Sequence, residues 1–396
     1  MDLLDVVIVG AGPAGARCAD HLAEGGARVT LIGGESAHPY NRVALSLHLA
    51  GDLEEHALIT HEPDKFQARG VVWRPGTEIA AIDRETKAVV TASGERIPYG
   101  ALVLATGAEA VRLPLPGADG PNVLLYRTLD DVRRMIAHAA GGGEAIVIGG
   151  GLLGLEAAAG LARRGMRVTV LHAVDRLMER QLDAGAAGLL RRRLAEQGIT
   201  VLTNAKTVAI EPEAILLADG SRIPASLVVM AVGIRPRTAL ARAAGLPVGR
   251  GVQVDDTMRT ADPAIWAVGE CAEHNGVCVG LVAPCFTQAE VAANAILGRE
   301  AAYRPAFDYA ALKVAGAGVW SAGEIEGGEP IVLDDGEVGQ YRRLVIRDDR
   351  LVGAVLYGDV ADAPWYLNLI KGGRKLGTDR ATLPFGPALQ EQELAA

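Results

Sequence analysis

Along the chain, short apolar runs rich in β-branched residues alternate with glycine turns and amphipathic stretches. This is the pattern of parallel strands buried on both faces by helices. The first run, 6–9 (Val-Val-Ile-Val), breaks into Gly10-Ala11-Gly12-Pro13-Ala14-Gly15, and 16–24 continues with helical spacing. Arg28–Ile32 then reads as the second strand of a βαβ unit. The arrangement recurs. Residues 145–148 (Ala-Ile-Val-Ile) lead into Gly149-Gly150-Gly151-Leu152-Leu153-Gly154, and Arg167–Leu171 follows as the matching second strand. Between the two units, 71–73, 78–82 and Ala88–Thr91 read as a small antiparallel insertion closed by Ser93-Gly94. A buried strand over 101–104 and a helix over Leu129–Ala139 come next. Beyond the second unit the pattern predicts a helix over 188–197 and strands at Thr200–Leu202, 206–210, 215–217 and 227–232. It then predicts a helix from about Pro284 to 297 and alternating strands at 341–346 and 352–356.

The glycines carry the chemistry of both units. In a strand–Gly-x-Gly-x-x-Gly–helix unit, Gly10 lets the chain turn off the strand. Gly12 lets a diphosphate approach the backbone, and Gly15 lets the helix pack on the sheet. Gly149, Gly151 and Gly154 repeat these roles, and in each unit the free N–H groups of a helix N-terminus face the phosphates. Two such units in one chain predict two dinucleotides held close together.

Composition narrows the class without changing that picture. A chain of 396 residues allows two to three domains, and 49% hydrophobic residues suit a globular protein. A net charge of −9 argues against general nucleic-acid binding. Four cysteines, Cys18, Cys271, Cys278 and Cys285, are too few for a disulfide framework. The N-terminus (Met-Asp-Leu-Leu-Asp) is acidic where a signal peptide would be basic, and no apolar run is long enough for a membrane span. The expectation is a cytoplasmic protein, without membrane or nucleic-acid partners.

Other candidates follow from position. An acid should meet the ribose at the end of the second strand of each unit. In the first unit that place holds Gly33, so Glu35 two residues on is the candidate, with a solvated loop glutamate as the alternative. In the second it holds His172, followed by Asp175 and Arg176. His172 and Arg176 suit a 2′-phosphate, Asp175 suits a ribose hydroxyl, and the balance leans slightly to NADH. Glu156, two residues past Gly154, either serves the helix dipole or faces the reacting rings. Cys271, Cys278 and Cys285, with His274, match no zinc or iron–sulfur spacing, so no metal site is predicted and buried packing is the better account.

Taken in order, the paired glycine loops, Ala105-Thr106-Gly107, Gly233-Ile234-Arg235-Pro236 and Thr260-Ala261-Asp262-Pro263-Ala264-Ile265-Trp266-Ala267-Val268-Gly269-Glu270 resemble the FAD-dependent pyridine-nucleotide oxidoreductases, the glutathione-reductase-like superfamily. The resemblance covers essentially the whole chain. It implies an α/β protein with two Rossmann-like dinucleotide-binding domains, for FAD and NAD(P), plus a C-terminal α+β interface domain. The implied boundaries are 1–110 with 236–303 for FAD, 111–235 for NAD(P), and 304–396 for the interface domain. It also implies FAD ligands at Gly10, Gly12, Pro13, Ala14, Gly15, Glu35, Arg42, Ala105, Thr106, Gly107, Gly269, Glu270, Pro284 and Gln288. NADH (or NADPH) ligands fall at Gly149, Gly151, Leu152, Leu153, Gly154, Glu156, His172, Arg176 and Gly233. Glu270 stands where the family usually has Asp.

Three segments are similar to the flavoprotein portion of assimilatory NAD(P)H-nitrite reductase large subunits. They are Tyr40-Asn41-Arg42-Val43-Ala44-Leu45-Ser46, Leu177-Met178-Glu179-Arg180-Gln181-Leu182-Asp183, and Glu270-Cys271-Ala272-Glu273-His274 with Gly280-Leu281-Val282-Ala283-Pro284. Rubredoxin reductases are similar too. No cysteine follows Cys285, so the sequence has no ligands for appended iron–sulfur and sirohaem regions, and the expectation is the flavin module alone. Residues 36–50 also lack the cysteines that the superfamily's dithiol and peroxidase members carry there. Electrons taken from NAD(P)H by the flavin are therefore expected to pass outward. The expected acceptor is a rubredoxin- or ferredoxin-type carrier or a nitrate/nitrite reductase component, docking near the basic residues Lys371, Arg374 and Lys375. Direct reduction of oxygen or a quinone, or a flavin-bound sensor or assembly role, are the alternatives. Trp365 lies either near the flavin edge or in a core, and the protein is expected to be a monomer or homodimer.

Overall fold

The computed structural model describes residues 4–305, 307 and 309–387; the acidic start at 1–3 and the tail 388–396 lie outside the described residues. Two five-stranded parallel sheets form its centre. In the first, Asp5–Val9 lies between Arg28–Ile32 and Ala101–Leu104, with Val71–Arg74 and Ile265–Ala267 at the edges. In the second, Glu144–Ile148 lies between Arg167–Leu171 and Leu227–Met230, with Thr200–Leu202 and Val123–Leu125 outside them. The central strands are buried on both faces, which is why they read as unbroken apolar runs.

Each sheet carries a small antiparallel satellite of three strands. The first is Ile79–Asp83, Ala88–Thr91 and Arg96–Pro98; the second is Thr207–Glu211, Ala214–Leu217 and Arg222–Pro224. The chain leaves the first sheet through Ala108–Ala110 and returns through Ile234–Pro236. These two segments pair antiparallel, so both crossings run side by side. Thr106 Oγ1 donates to the Arg237 carbonyl at 2.8 Å and ties them further.

The helices differ from the sequence expectation mainly at their starts. The first-loop helix begins at Pro13, where a proline's fixed φ and missing N–H cost nothing, and runs to Glu24. The helix expected over 188–197 spans Ala184–Glu196, because Asp183 caps it by accepting from Gly185 N–H. Leu129–Ala139 matches its expected span. Thr128 accepts from Asp131 N–H while the Asp131 carboxylate accepts from Thr128 N–H, a reciprocal cap.

The C-terminal region is a five-stranded antiparallel sheet in the order Tyr309–Val314, Ala317–Gly323, Arg350–Gly358, Gln340–Arg347, Glu329–Asp335. The helix Ala363–Gly372 packs on it, burying Tyr366, and Trp365 is half-buried against the same core. Arg342, buried beneath that helix, is satisfied by Asp362 at 2.7 Å, Asp359 at 3.3 Å and the Pro384 carbonyl at 3.2 Å. A buried guanidinium is tolerable only with such partners. Tyr341 O–H donates to Asp183 at 2.6 Å and pins this sheet to the second nucleotide-type unit.

Candidate functional site

Both glycine loops have the same shape for the same reasons. Gly10 and Gly149 sit at φ +113° and +123°, a region that side chains with a Cβ avoid. A Cβ on Gly10 would lie 2.0 Å from the Ala105 carbonyl oxygen, and one on Gly149 would lie 2.3 Å from that of Ala231. A Cβ on Gly15 or Gly154 would lie equally close to the carbonyl oxygen of the loop's own first glycine, at 1.9 and 2.0 Å. The middle glycines differ from these. A Cβ on Gly12 or Gly151 would meet nothing within 4 Å, so each faces an open cradle. Neither following helix has a side-chain cap, leaving the first-turn N–H groups of Pro13–Glu24 and Leu152–Arg163 for an outside acceptor. Pro13 and Ala14, and Leu152 and Leu153, begin these two helices.

Around the first cradle the structure gathers residues from distant parts of the chain. Ala105 backs the loop, and a Cβ on Gly107 would stand 3.7 Å from the Glu270 carboxylate. A Cβ on Gly269 would touch Ala14 at 3.0 Å. Gln288 is wholly buried; its Oε1 accepts from Gly269 N–H at 2.8 Å and fixes that turn. Pro284 lies in the first turn of the helix Val282–Ile296, beside buried Cys285, whose thiol burial pushes up to about 12. Glu35 accepts from Tyr40 O–H and from Arg42 Nη2, both at 2.7 Å. Arg42 also donates to the Arg127 carbonyl at 2.8 Å, and Arg127 forms an ion pair with Glu270. Arg127 Nε is buried and unpartnered. Two guanidinium groups, one with an orphaned buried donor, beside an open glycine cradle fit the diphosphate of a dinucleotide.

Arg127 was not picked out from the sequence. Its partner Glu270 lies 143 positions away, and the local signal is only a Tyr-Arg-Thr at the start of a capped helix.

Residues 40–50 connect this cluster to the second cradle. Leu129 N–H donates to Tyr40 Oη at 3.1 Å. The short helix Leu45–Ala50 lies along Leu152–Arg163: Leu49 fills the space over Gly160, and Arg164 donates to the His48 carbonyl at 3.0 Å and to that of Leu49. One turn earlier on both helices, Ser46 lies beside Glu156 and the buried Tyr126, its hydroxyl donating to the Val43 carbonyl at 3.4 Å. Burial raises the Glu156 carboxyl to about 7, and the neighbouring Ser46 hydroxyl offsets only part of that rise. Burial also pushes the Tyr126 phenol far above its usual range. Ser46 and Tyr126 were likewise not singled out from the sequence.

At the far side of the second cradle, His172 Nδ1 accepts from Gly150 N–H at 3.0 Å and His172 Nε2 lies 3.1 Å from Glu179. Arg176 turns away, donating to the Leu182 carbonyl at 3.2 Å and pairing with Glu326 in the loop between the strands Ala317–Gly323 and Glu329–Asp335. Gly233, at φ +117°, has open space around it where the chain leaves the second sheet.

Lys371, Arg374 and Lys375 are exposed at the end of the last helix, and Arg374 bonds Asp379 at 2.7 Å. Cys18, Cys271 and Cys285 are buried and all four cysteines are free. Among the described residues no group of His, Cys, Asp or Glu is arranged to hold a metal ion. Among the same residues, no helix is long and apolar enough to cross a membrane.

Twin open cradles joined by one packed segment fit a protein that takes two dinucleotides. The chain belongs to the pyridine nucleotide-disulphide oxidoreductase family, whose model matches residues 4–296, and residues 309–374 match the rubredoxin NAD+ reductase C-terminal domain. Membership implies FAD and NAD(P)H binding. The chain is 41% identical to nitrite reductase [NAD(P)H] of Bacillus subtilis over 92% of its own length and 47% of that protein's. It is 39% identical to the assimilatory nitrate reductase electron transfer subunit of the same organism, over 90% of this chain and 48% of the relative. It thus spans about half the length of these curated relatives. A crystal structure of a covalent putidaredoxin reductase–putidaredoxin complex superposes with a TM-score of 0.85 at 28% identity, covering 93% of each chain.

Proposed function

We propose that this protein passes electrons from NAD(P)H, through FAD, to a separate protein acceptor: a rubredoxin- or ferredoxin-type carrier or a nitrate/nitrite reductase component. The observation that carries this reading is the segment 40–50. It joins the two cradles and contains no cysteine, presenting Ser46 to Glu156 where a relay thiol would otherwise take electrons from the flavin. The half-length match to a nitrate reductase electron transfer subunit and the rubredoxin reductase-type C-terminal domain support it.

A bound flavin would supply the redox step, accepting a hydride from the nicotinamide and releasing electrons to the acceptor. The residues of this chain do the rest. Gly12 and the first turn of its helix, with Arg42 and Arg127, would hold the FAD diphosphate; Glu35 and Glu270 would meet its ribose and ribityl hydroxyls. Gly151 and its helix N-terminus would hold the nicotinamide dinucleotide. Glu156, beside Ser46, sits beyond Gly154 on the side facing residues 40–50. Its raised carboxyl can hold or give up a proton near neutral pH. Lys371 and Lys375, with Arg374, offer positive charge to an acidic carrier.

The test is anaerobic. Protein reduced by one equivalent of NADH is mixed with oxidised rubredoxin-type carrier or, separately, with air. Rapid return of the flavin absorbance with the carrier, slowed by salt, is the expected result. Return in air as fast as with any carrier would replace this reading with an oxidase.

A further inference from the structure

We propose that Glu179, held in place by His172 beside the second glycine loop, is the acid that selects NADH over NADPH. The inference rests on the second cradle binding a nicotinamide dinucleotide. In such a unit the adenosine ribose meets the residue that ends the second strand, and a carboxylate there accepts from the 2′-hydroxyl. The second strand ends at Leu171, and the next residue is His172. Its ring is fixed from both sides. Nδ1 accepts from Gly150 N–H at 3.0 Å, so that nitrogen carries no proton and the neutral ring carries its proton on Nε2. Nε2–H donates to Glu179 Oε2 at 3.1 Å. The imidazole is 11% exposed and the Glu179 side chain 39%, so the carboxylate keeps an open side.

The backbone enforces the arrangement. His172 N–H donates to the Leu202 carbonyl, and Ala205 N–H donates to that of His172, both at 2.9 Å. Met178 N–H donates to the Gly150 carbonyl at 3.0 Å, and Met178 adopts φ +51°, which turns Glu179 back toward the histidine. A Cβ on Gly150 would collide with both His172 and Leu177 at 2.7 Å, so this clasp closes directly on the loop. The segment thus delivers a carboxylate seven residues late to the place where the acid is needed.

The cation that the segment places nearest the strand end, Arg176, is engaged elsewhere. Arg176 is engaged by Glu326 and the Leu182 carbonyl, with Asp175 3.6 Å from its guanidinium. The remaining cation of the segment, Arg180, is exposed. A 2′-phosphate would meet an unneutralised carboxylate, whereas a 2′-hydroxyl would donate to it.

The test titrates the flavin-loaded full chain with ADP-ribose and with 2′-phospho-ADP-ribose by calorimetry, at low and at moderate salt. The expected result is binding of ADP-ribose at least about tenfold tighter, with the gap shrinking as salt rises. Glu179→Gln, with an unchanged melting temperature, should tighten the 2′-phosphate probe about tenfold and weaken ADP-ribose by no more than about threefold. Equal or tighter binding of the 2′-phosphate probe by the unaltered protein would overturn the proposal. So would equal shifts of both probes in Glu179→Gln. Failure to bind either probe would instead overturn the nucleotide reading of this cradle.

Discussion

The two glycine loops repeat one backbone but sit in different surroundings. Around the first, charges come in couples: Arg42 with Glu35, and Arg127 with Glu270, bridged by the Arg42 bond to the Arg127 carbonyl. Around the second stand a histidine hydrogen-bonded on both nitrogens and a partly buried carboxyl beside a hydroxyl. Paired guanidinium groups at a half-buried site favour a diphosphate that stays. A loop with open backbone donors and few fixed cations favours one that comes and goes. The same fold motif is thus suited to a resident cofactor at one end and an exchanging one at the other.

The sharpest way to break that comparison is to fill each cradle in turn. Gly12 and Gly151 have ordinary extended backbone angles and free space for a Cβ, so a valine at either should leave the fold intact. Gly12→Val should lower flavin affinity by about 3 kcal/mol or more, roughly a hundredfold, and yield largely colourless protein. Gly151→Val should keep the flavin and lose the nucleotide. Absorbance per protein and nucleotide titration distinguish the two. Matching losses in both variants would mean that the cradles are not separate.

A slightly smaller effect belongs to Glu156. Its carboxyl is raised from 4.5 to about 7 in the folded state, so the folded protein keeps a proton that the unfolded chain releases. The flavin-free protein should therefore lose stability as pH rises from about 4.5 through 7. Glu156→Gln should lack that fall and exceed the parent by up to about 3 kcal/mol above pH 7, with no gain below pH 4.5. Denaturant melts at several pH values check it; parallel pH curves for the two proteins would contradict the raised carboxyl.

Next comes the first cradle's ion pair. Arg127→Ala leaves Glu270 without its cation and should cost the flavin-free protein about 2 kcal/mol, read from denaturant midpoints. The smallest effect is expected where the connecting helix meets solvent. The Arg163–Asp52 pair is exposed on both sides, and Asp52→Asn should leave the denaturant midpoint nearly unchanged. A larger loss there would mean that the contact between residues 40–50 and the second-loop helix depends on surface charge rather than on Leu49 against Gly160.

The parts legible in sequence are those where one residue type has no substitute. A Cβ at the first or third glycine of each loop would fall about 2 Å from a backbone carbonyl oxygen, so the fingerprint survives as a readable pattern. The buried parallel strands survive because both faces must be apolar. Much of the C-terminal sheet was harder to see. Gln340–Arg347 and Arg350–Gly358 alternate clearly, but the edge strands Tyr309–Val314 and Glu329–Asp335 are largely exposed, and Ala317–Gly323 is built mostly of small residues. The charged site was hardest. The Arg127–Glu270 pair joins positions far apart in the chain, and His172 meets Glu179 only because Met178 takes a left-handed conformation that no local pattern announces.

The central claim is that a flavin in the first cradle and a nicotinamide in the second meet across residues 40–50. Anaerobic stopped-flow mixing of the flavin-loaded protein with NADH or NADPH tests it most directly. The account predicts bleaching of the flavin band at about 450 nm, abolished in Gly151→Val although that variant keeps its flavin. A stable yellow protein that neither nucleotide bleaches would contradict it.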